Sequence, residues 1–307
     1  MTIRRIENRD LLATVWTWSG DAAPARGDES SPLDIRTRLE AVQAAGWKGV
    51  GFVHSDLMKI VDRIGISSLK GLLDDHGIEI VELEFISNWW ADGELRKASD
   101  TVRKDLFAAA AVLGTKTIKV GAELQSFGAT GQTVTRGRFL DSLDALATDA
   151  ARFDLRVAME AMPMSNVRTI EEASQMMREI GNPHAGLVVD TWHVARGGSS
   201  YQSMIDALPM EHVFVVELDD ADEQVVGSLW DDTVNRRRMP GDGALDTASF
   251  ITAMHDAGWR GHWGVEIISE ELRAKPIAEG VREVFDKTIA SFDAAEDIPA
   301  FRTPTNA

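Results

Sequence analysis

Eight short, apolar, β-branched-rich runs recur between longer amphipathic stretches from one end of this chain to the other, and that alternation leaves few folds open. The runs are LLATVWTW, GVGFVHS, IEIVELEFI, TKTIKVGAE, LRVAMEAMP, AGLVVDTWH, HVFVVELDDA and GHWGVEIIS. Between them, helical patterns fall near 34–46, 65–76, 95–113, 133–153, 168–181, 201–208, 246–258 and 278–292. Strands separated by helices pair in parallel, and their near-continuous apolar character implies burial on both faces. An open doubly wound sheet would normally carry a glycine-rich phosphate turn after its first strand. Here that turn reads TWSGDAAPARGDESS, without GxGxxG. The expectation is therefore a closed (β/α)8 TIM barrel of the α/β class, a single domain over 1–307 with the barrel at about 12–292. The loops after the first and seventh runs are the longest and most polar, and they are candidate lids over one mouth.

Each of the last four runs carries a carboxylate at or near its end: Glu160, Asp190, Glu217 and Glu266. In a barrel these side chains converge, and four acids aimed at one point repel each other unless a cation sits between them. An ion pair with Arg or Lys explains any one of them. The nearby strands supply too few basic residues to explain all four. Oxygen donors without cysteine suit a hard or borderline divalent ion, Mn²⁺ first and Mg²⁺ or Co²⁺ next. Such an ion stabilises an enediolate as a proton leaves the carbon beside a carbonyl. Glu160 and Glu266 are the natural pair to remove and return that proton, with coupled titrations.

Other residues complete the expected site. His193, three residues after Asp190, is placed to orient a substrate oxygen or to join the metal. The segment NRRRMPGDG concentrates Arg236, Arg237 and Arg238. One of them is expected to enter the mouth and meet a substrate oxygen, and at least one to stay in solvent opposite Asp231 and Asp232. Trp16, Trp18, His54, Glu82, Glu84, Trp89, Trp90 and Lys119 come from the ends of the first four runs and are expected on the opposite wall. Tryptophans there stack on sugar or aromatic rings or pack in the core. His54 and Lys119 are possible auxiliary acid–base groups.

Composition narrows the partners. Hydrophobic residues make up 44% of the chain, enough for a sizeable core, and no apolar run approaches the roughly 20 residues of a membrane span. MTIRRIENRDLL lacks an apolar signal core, so the cytoplasm is the expected location. Cysteine is absent, which removes thiolate metal sites and a thiol nucleophile. A formal net charge of −17 argues against a surface that tracks phosphate backbones, so no nucleic acid partner is expected.

The glutamate of VAMEAMP, the DTWH motif, the acid of the seventh run, RRRMPGDG and VEIIS together resemble the xylose-isomerase-like barrel superfamily, its sugar phosphate isomerase/epimerase group. The resemblance spans about 12–292 and is more specific in the second half. It implies metal ligation by Glu160, Asp190, Glu217 and Glu266, acid–base roles for Glu160 and Glu266, and substrate contacts from His193 and one arginine of 236–238. The implied activity is a metal-dependent sugar or cyclitol isomerase or epimerase. Two positions depart from the group's pattern. Glu217 stands where a histidine is usual, adding a negative charge that favours a harder ion, and Asn166 stands where the epimerases keep a substrate-binding glutamate. Both shift weight from a plain ketose 3-epimerase toward a lyase or dehydratase. VELDDAD and the arginine turn are similar to barrel subunits that cleave 3-oxo-glycosides by elimination, carbon–carbon glycosides included. With that likeness go a sugar or glycoside substrate and a homo-oligomer, or a hetero-oligomer with a second subunit.

Overall fold

The computed structural model describes residues 5–124 and 134–302. Its strands are β1 (Leu11–Ala13), β2 (Gly49–Val53), β3 (Ile80–Ile86), β4 (Thr117–Gly121), β5 (Arg156–Glu160), β6 (Ala185–Asp190), β7 (Val213–Leu218) and β8 (Trp263–Val265). They pair in sequence order, all parallel, and β8 returns to β1 through Leu12 and Gly264, so the sheet is a closed eight-stranded barrel. The expected (β/α)8 architecture is the observed one.

The long helices form the outer ring: α2 (Ile35–Ala45), α4 (Ile66–Asp75), α5 (Gly93–Leu113), α6 (Arg136–Ala151), α7 (Ile170–Ile180), α9 (Tyr201–Ala207), α11 (Thr247–Ala257) and α13 (Ile277–Glu296). Each matches one expected helical pattern within a few residues, except that the pattern near 133–153 begins outside the described residues. Their ends follow local chemistry. Thr169 caps α7 through Glu172 N, and Gly181 closes it in the left-handed region. The inward helical faces, with Leu39, Leu106, Leu143, Met177, Phe250 and Phe292, bury against the barrel's outer surface in one continuous core. No helix among the described residues is long and apolar enough to cross a membrane.

Five further helices lie where no helical pattern was expected: α1 (Val15–Trp18), α3 (His54–Ile64), α8 (Thr191–Arg196), α10 (Leu229–Asn235) and α12 (Glu270–Arg273). Four of them run for seven residues or fewer, too short for a helical period to show, and α3 buries Leu57 and Ile60 besides Asp56. The first run is consequently shorter than a full strand. Thr14 and Thr17 both donate to the carbonyl of Val265 at the end of β8, and the Thr17 hydroxyl accepts from Ile267 N. These bonds turn the chain after Ala13 into a helical turn, so Trp16 and Trp18 no longer share a face.

The segment after α1 is anchored by a buried ion pair. Arg38 donates to both oxygens of Asp56 at 2.8 and 3.3 Å, and Asp56 also accepts from Ser31 N at 3.0 Å. Asp56→Ala should therefore leave a buried guanidinium without its partner and cost about 3–5 kcal/mol. An unfolding free energy from urea titration within about 1 kcal/mol of the parent protein's would show that this pair does not hold the loop.

Candidate active site

Strand register brings the four strand-end acids together. Glu160 closes β5 and Asp190 closes β6; Asp190 lies opposite Glu217 of β7, and Glu217 lies opposite Gly264, two residues before Glu266. The absent side chain at Gly264 matters, because a Cβ there would stand 2.9 Å from Cγ of Glu217. One oxygen from each of Glu160, Asp190, Glu217 and Glu266 lies within 4.8 Å of the others, and Glu160, Asp190 and His193 form a second such group.

The Asp-x-x-His spacing has a simple origin. Asp190 is the cap of α8 and accepts from His193 N at 2.8 Å, which fixes His193 in the first turn beside the acids. Its Nε2 lies 3.3 Å from Glu160 Oε1 and 3.2 Å from Arg237 Nη2. Arg237 reaches inward from the arginine segment: Nη1 donates to Asp190 at 2.8 Å and to Asp219, and Nη2 donates to the Thr233 hydroxyl at 3.0 Å and lies 3.5 Å from Glu266. The flanking arginines turn away. Isolated bridges from Arg236 to Ser269 and from Arg238 to Asp220 hold the segment extended, so alternate side chains take opposite sides. Arg236 and Arg238 both pair with Asp222, and Arg238 also with Glu271, which corrects their expected partners. Asp231 instead caps α10 with Ser228, and Asp232 accepts from Trp192 and Arg196.

A cavity of about 460 Å³ includes Glu84, Glu160, Glu266, His54, His193 and Arg237 in its lining. Its remaining wall is largely apolar, from Trp16, Val53, Phe85, Val102, Met162, Met164, Trp230 and Ile268. Four expectations for the first four strands need correction, the first being Glu82, which faces Lys119 inside the barrel and does not line the cavity. Trp18 is fully buried behind the cavity, its Nε1 donating to the Gly51 carbonyl and its ring under Arg38, because α1 turns it from Trp16. Trp89 and Trp90 pack on Phe139 in the core. Lys119 does not face the cavity; it is buried inside the barrel, with Nζ 2.5 Å from Glu84 and 2.7 Å from Glu217. His54 does line the cavity, with Nε2 2.8 Å from Asp105. Asn166 forms a clasp, exchanging bonds with Glu123 at 2.8 and 2.9 Å. The importance of Asp219 escaped the sequence reading, although the acid run after β7 carried it.

The charges do not balance. Glu82, Glu84, Glu160, Asp190, Glu217, Asp219 and Glu266 are all buried here, against two permanent cations, Lys119 and Arg237. Burial pushes Glu84 up to about 8 and raises Glu217 and Asp219 well above the usual carboxylate range. Burial would raise Glu160 too, but His193, Lys119 and Arg237 outweigh it and bring it down to about 2. Glu84 Oε1, Glu160 Oε1, Glu217 Oε2 and Asp219 Oδ1 are buried without a hydrogen-bond partner. Orphaned buried carboxylate oxygens are costly, and oxygen donors in excess of cations fit a divalent ion.

A closed parallel barrel thus carries at its carboxyl end a buried acidic cluster whose oxygens could hold a divalent ion. The chain belongs to the xylose isomerase-like TIM barrel family, whose model matches residues 39–288. It is 28% identical to a 3-dehydroshikimate dehydratase of Pseudomonas aeruginosa over 78% of this chain and 37% of that protein, so it spans well under half of that relative's length. It is 26% identical to an inosose isomerase of Bacillus subtilis over 49% of this chain and 53% of that one. In structure it resembles the IolI protein, solved with a zinc atom, with a TM-score of 0.79 at 19% identity over 94% of this chain and 100% of that one.

Proposed function

We propose that this chain moves a proton on and off the carbon beside a carbonyl of a sugar or cyclitol, with one divalent ion, Mn²⁺ in the first instance, held by Glu160, Asp190, Glu217 and Glu266. One observation carries this reading. Of the four converging acids, only Glu160 and Glu266 line the cavity; Asp190 and Glu217 stand behind it. Two acids can thus meet substrate while all four contribute donors to the ion. When bound, the ion supplies positive charge beside the substrate oxygen that becomes negative as the proton leaves.

In this reading one of Glu160 and Glu266 takes the proton and the other returns one to the opposite face or the neighbouring carbon. His193 and Arg237, fixed by Asp190, Thr233 and Asp219, donate to the carbonyl and hydroxyl oxygens and orient the ring. Isomerisation or epimerisation is the first outcome, in keeping with the inosose isomerase relative. Elimination from a 3-oxo-sugar or 3-oxo-glycoside is the second. The apolar wall favours it, since Trp16, Phe85, Met162 and Trp230 offer more apolar surface than a hydroxylated ring needs, and the dehydratase relative points the same way. A homo-oligomer, or a second subunit at the mouth, belongs to the same proposal.

Incubating Mn²⁺-loaded protein in D₂O with inososes, ketoses and 3-oxo-glycosides should place deuterium on the carbon next to the carbonyl, and chelation should abolish it. A labelled sugar of unchanged composition supports isomerisation. Release of water or aglycone with an unsaturated ring replaces it with elimination. No exchange into any of these compounds, in protein shown to hold metal, would sink both.

A further inference from the structure

Lys119 is the middle residue of β4, and its whole side chain is buried inside the barrel without touching the cavity. Four carboxylates surround its Nζ: Glu84 at 2.5 Å, Glu217 at 2.7 Å, Glu82 at 3.4 Å and Glu266 at 3.6 Å. An ammonium offers three hydrogens, fewer than four carboxylates can take. Glu84 Oε1 and Glu217 Oε2 accordingly stay buried without a hydrogen-bond partner. Glu217 and Glu266 are shared with the group assigned to the metal, whereas among the described residues Glu82 and Glu84 form ion pairs with Lys119 alone. Oxygen donors converging on one point from four acids suit a hard divalent ion, and two such ions commonly share bridging carboxylates about 3.5–4 Å apart.

We propose that the Lys119 side chain occupies the Glu82 and Glu84 side of the cluster and so holds the barrel to one divalent ion per chain. The proposal rests on the reading that Glu160, Asp190, Glu217 and Glu266 bind a metal. Lys119 acts through these acids and is a positioning residue: it fixes the Glu84 carboxylate at the cavity wall and keeps a second ion away from Glu217 and Glu266.

The test is the Mn²⁺ content of the whole protein, measured by elemental analysis after equilibration with excess Mn²⁺ and removal of the free ion, together with its electron paramagnetic resonance spectrum. The parent protein should hold one ion per chain with an isolated-ion signal. Lys119→Ala and Lys119→Gln should each hold two, with a signal broadened by coupling between neighbouring ions. Both variants should also gain more in Tm on adding Mn²⁺ than the parent does. One ion in both variants, or two in the parent, would overturn the proposal and leave the metal reading intact. No Mn²⁺ in the parent would remove the metal reading and this proposal with it. Variants that fold neither with nor without Mn²⁺ would make Lys119 purely structural and overturn the proposal.

Discussion

Glu266→Gln should leave the barrel folded and lower deuterium exchange into the substrate by at least about a hundredfold, the scale for losing a general acid or base. The backbone at this position is held independently of the side chain. Glu266 N donates to the Leu218 carbonyl at 3.0 Å, and the next amide, Ile267 N, donates to Thr17 at 2.9 Å. Glutamine keeps the length and shape of the side chain and one oxygen donor, but its amide does not take up a proton at working pH. The loss should therefore fall on the proton-transfer step. Metal content has to be measured on the same sample, because Glu266 is also one of the four converging donors. Exchange close to the parent rate with metal bound would remove Glu266 from the acid–base pair.

Glu160→Gln and Asp190→Asn should each weaken Mn²⁺ binding at least about a hundredfold by calorimetry. Asp190 is the more informative position because its two oxygens do different work. Oδ1 accepts from His193 N and caps α8, a task that asparagine performs as well. Oδ2 accepts from Arg237 Nη1 at 2.8 Å, where an asparagine NH₂ would face another donor. The fold should thus persist while the charge facing the ion and the seat of Arg237 are both lost. Unchanged affinity in both variants would refute the cluster as the metal site.

The eight parallel strands and the convergence of Glu160, Asp190, Glu217 and Glu266 are legible from the sequence because both depend on local pattern. Apolar runs mark strands, and a carboxylate at the end of a barrel strand has one direction to point. Less legible were positions set by a neighbour far along the chain. Trp18 moved into the core because Val265 of β8 captures Thr14 and Thr17, a contact across some 250 residues that no local period encodes. Lys119 looked like a wall residue because its strand ends at the mouth, but Glu217 on β7 draws it inside the barrel. Arg237 was singled out from Arg236 and Arg238 only by bridges to Ser269 and Asp220. Motifs located the chemistry, and long-range pairing chose among their members.

Asp232, accepting from both Trp192 and Arg196, locks α8 to α10, and with them His193 to Arg237. These bonds tie α8 and α10 into one unit at the mouth. The apolar half is assembled from separate pieces, with Trp16 on α1, Val102 on α5 and Met162 after β5. Substitutions at Trp16, Val102 or Met162 would therefore reshape the cavity without loosening the Asp232 tie between α8 and α10.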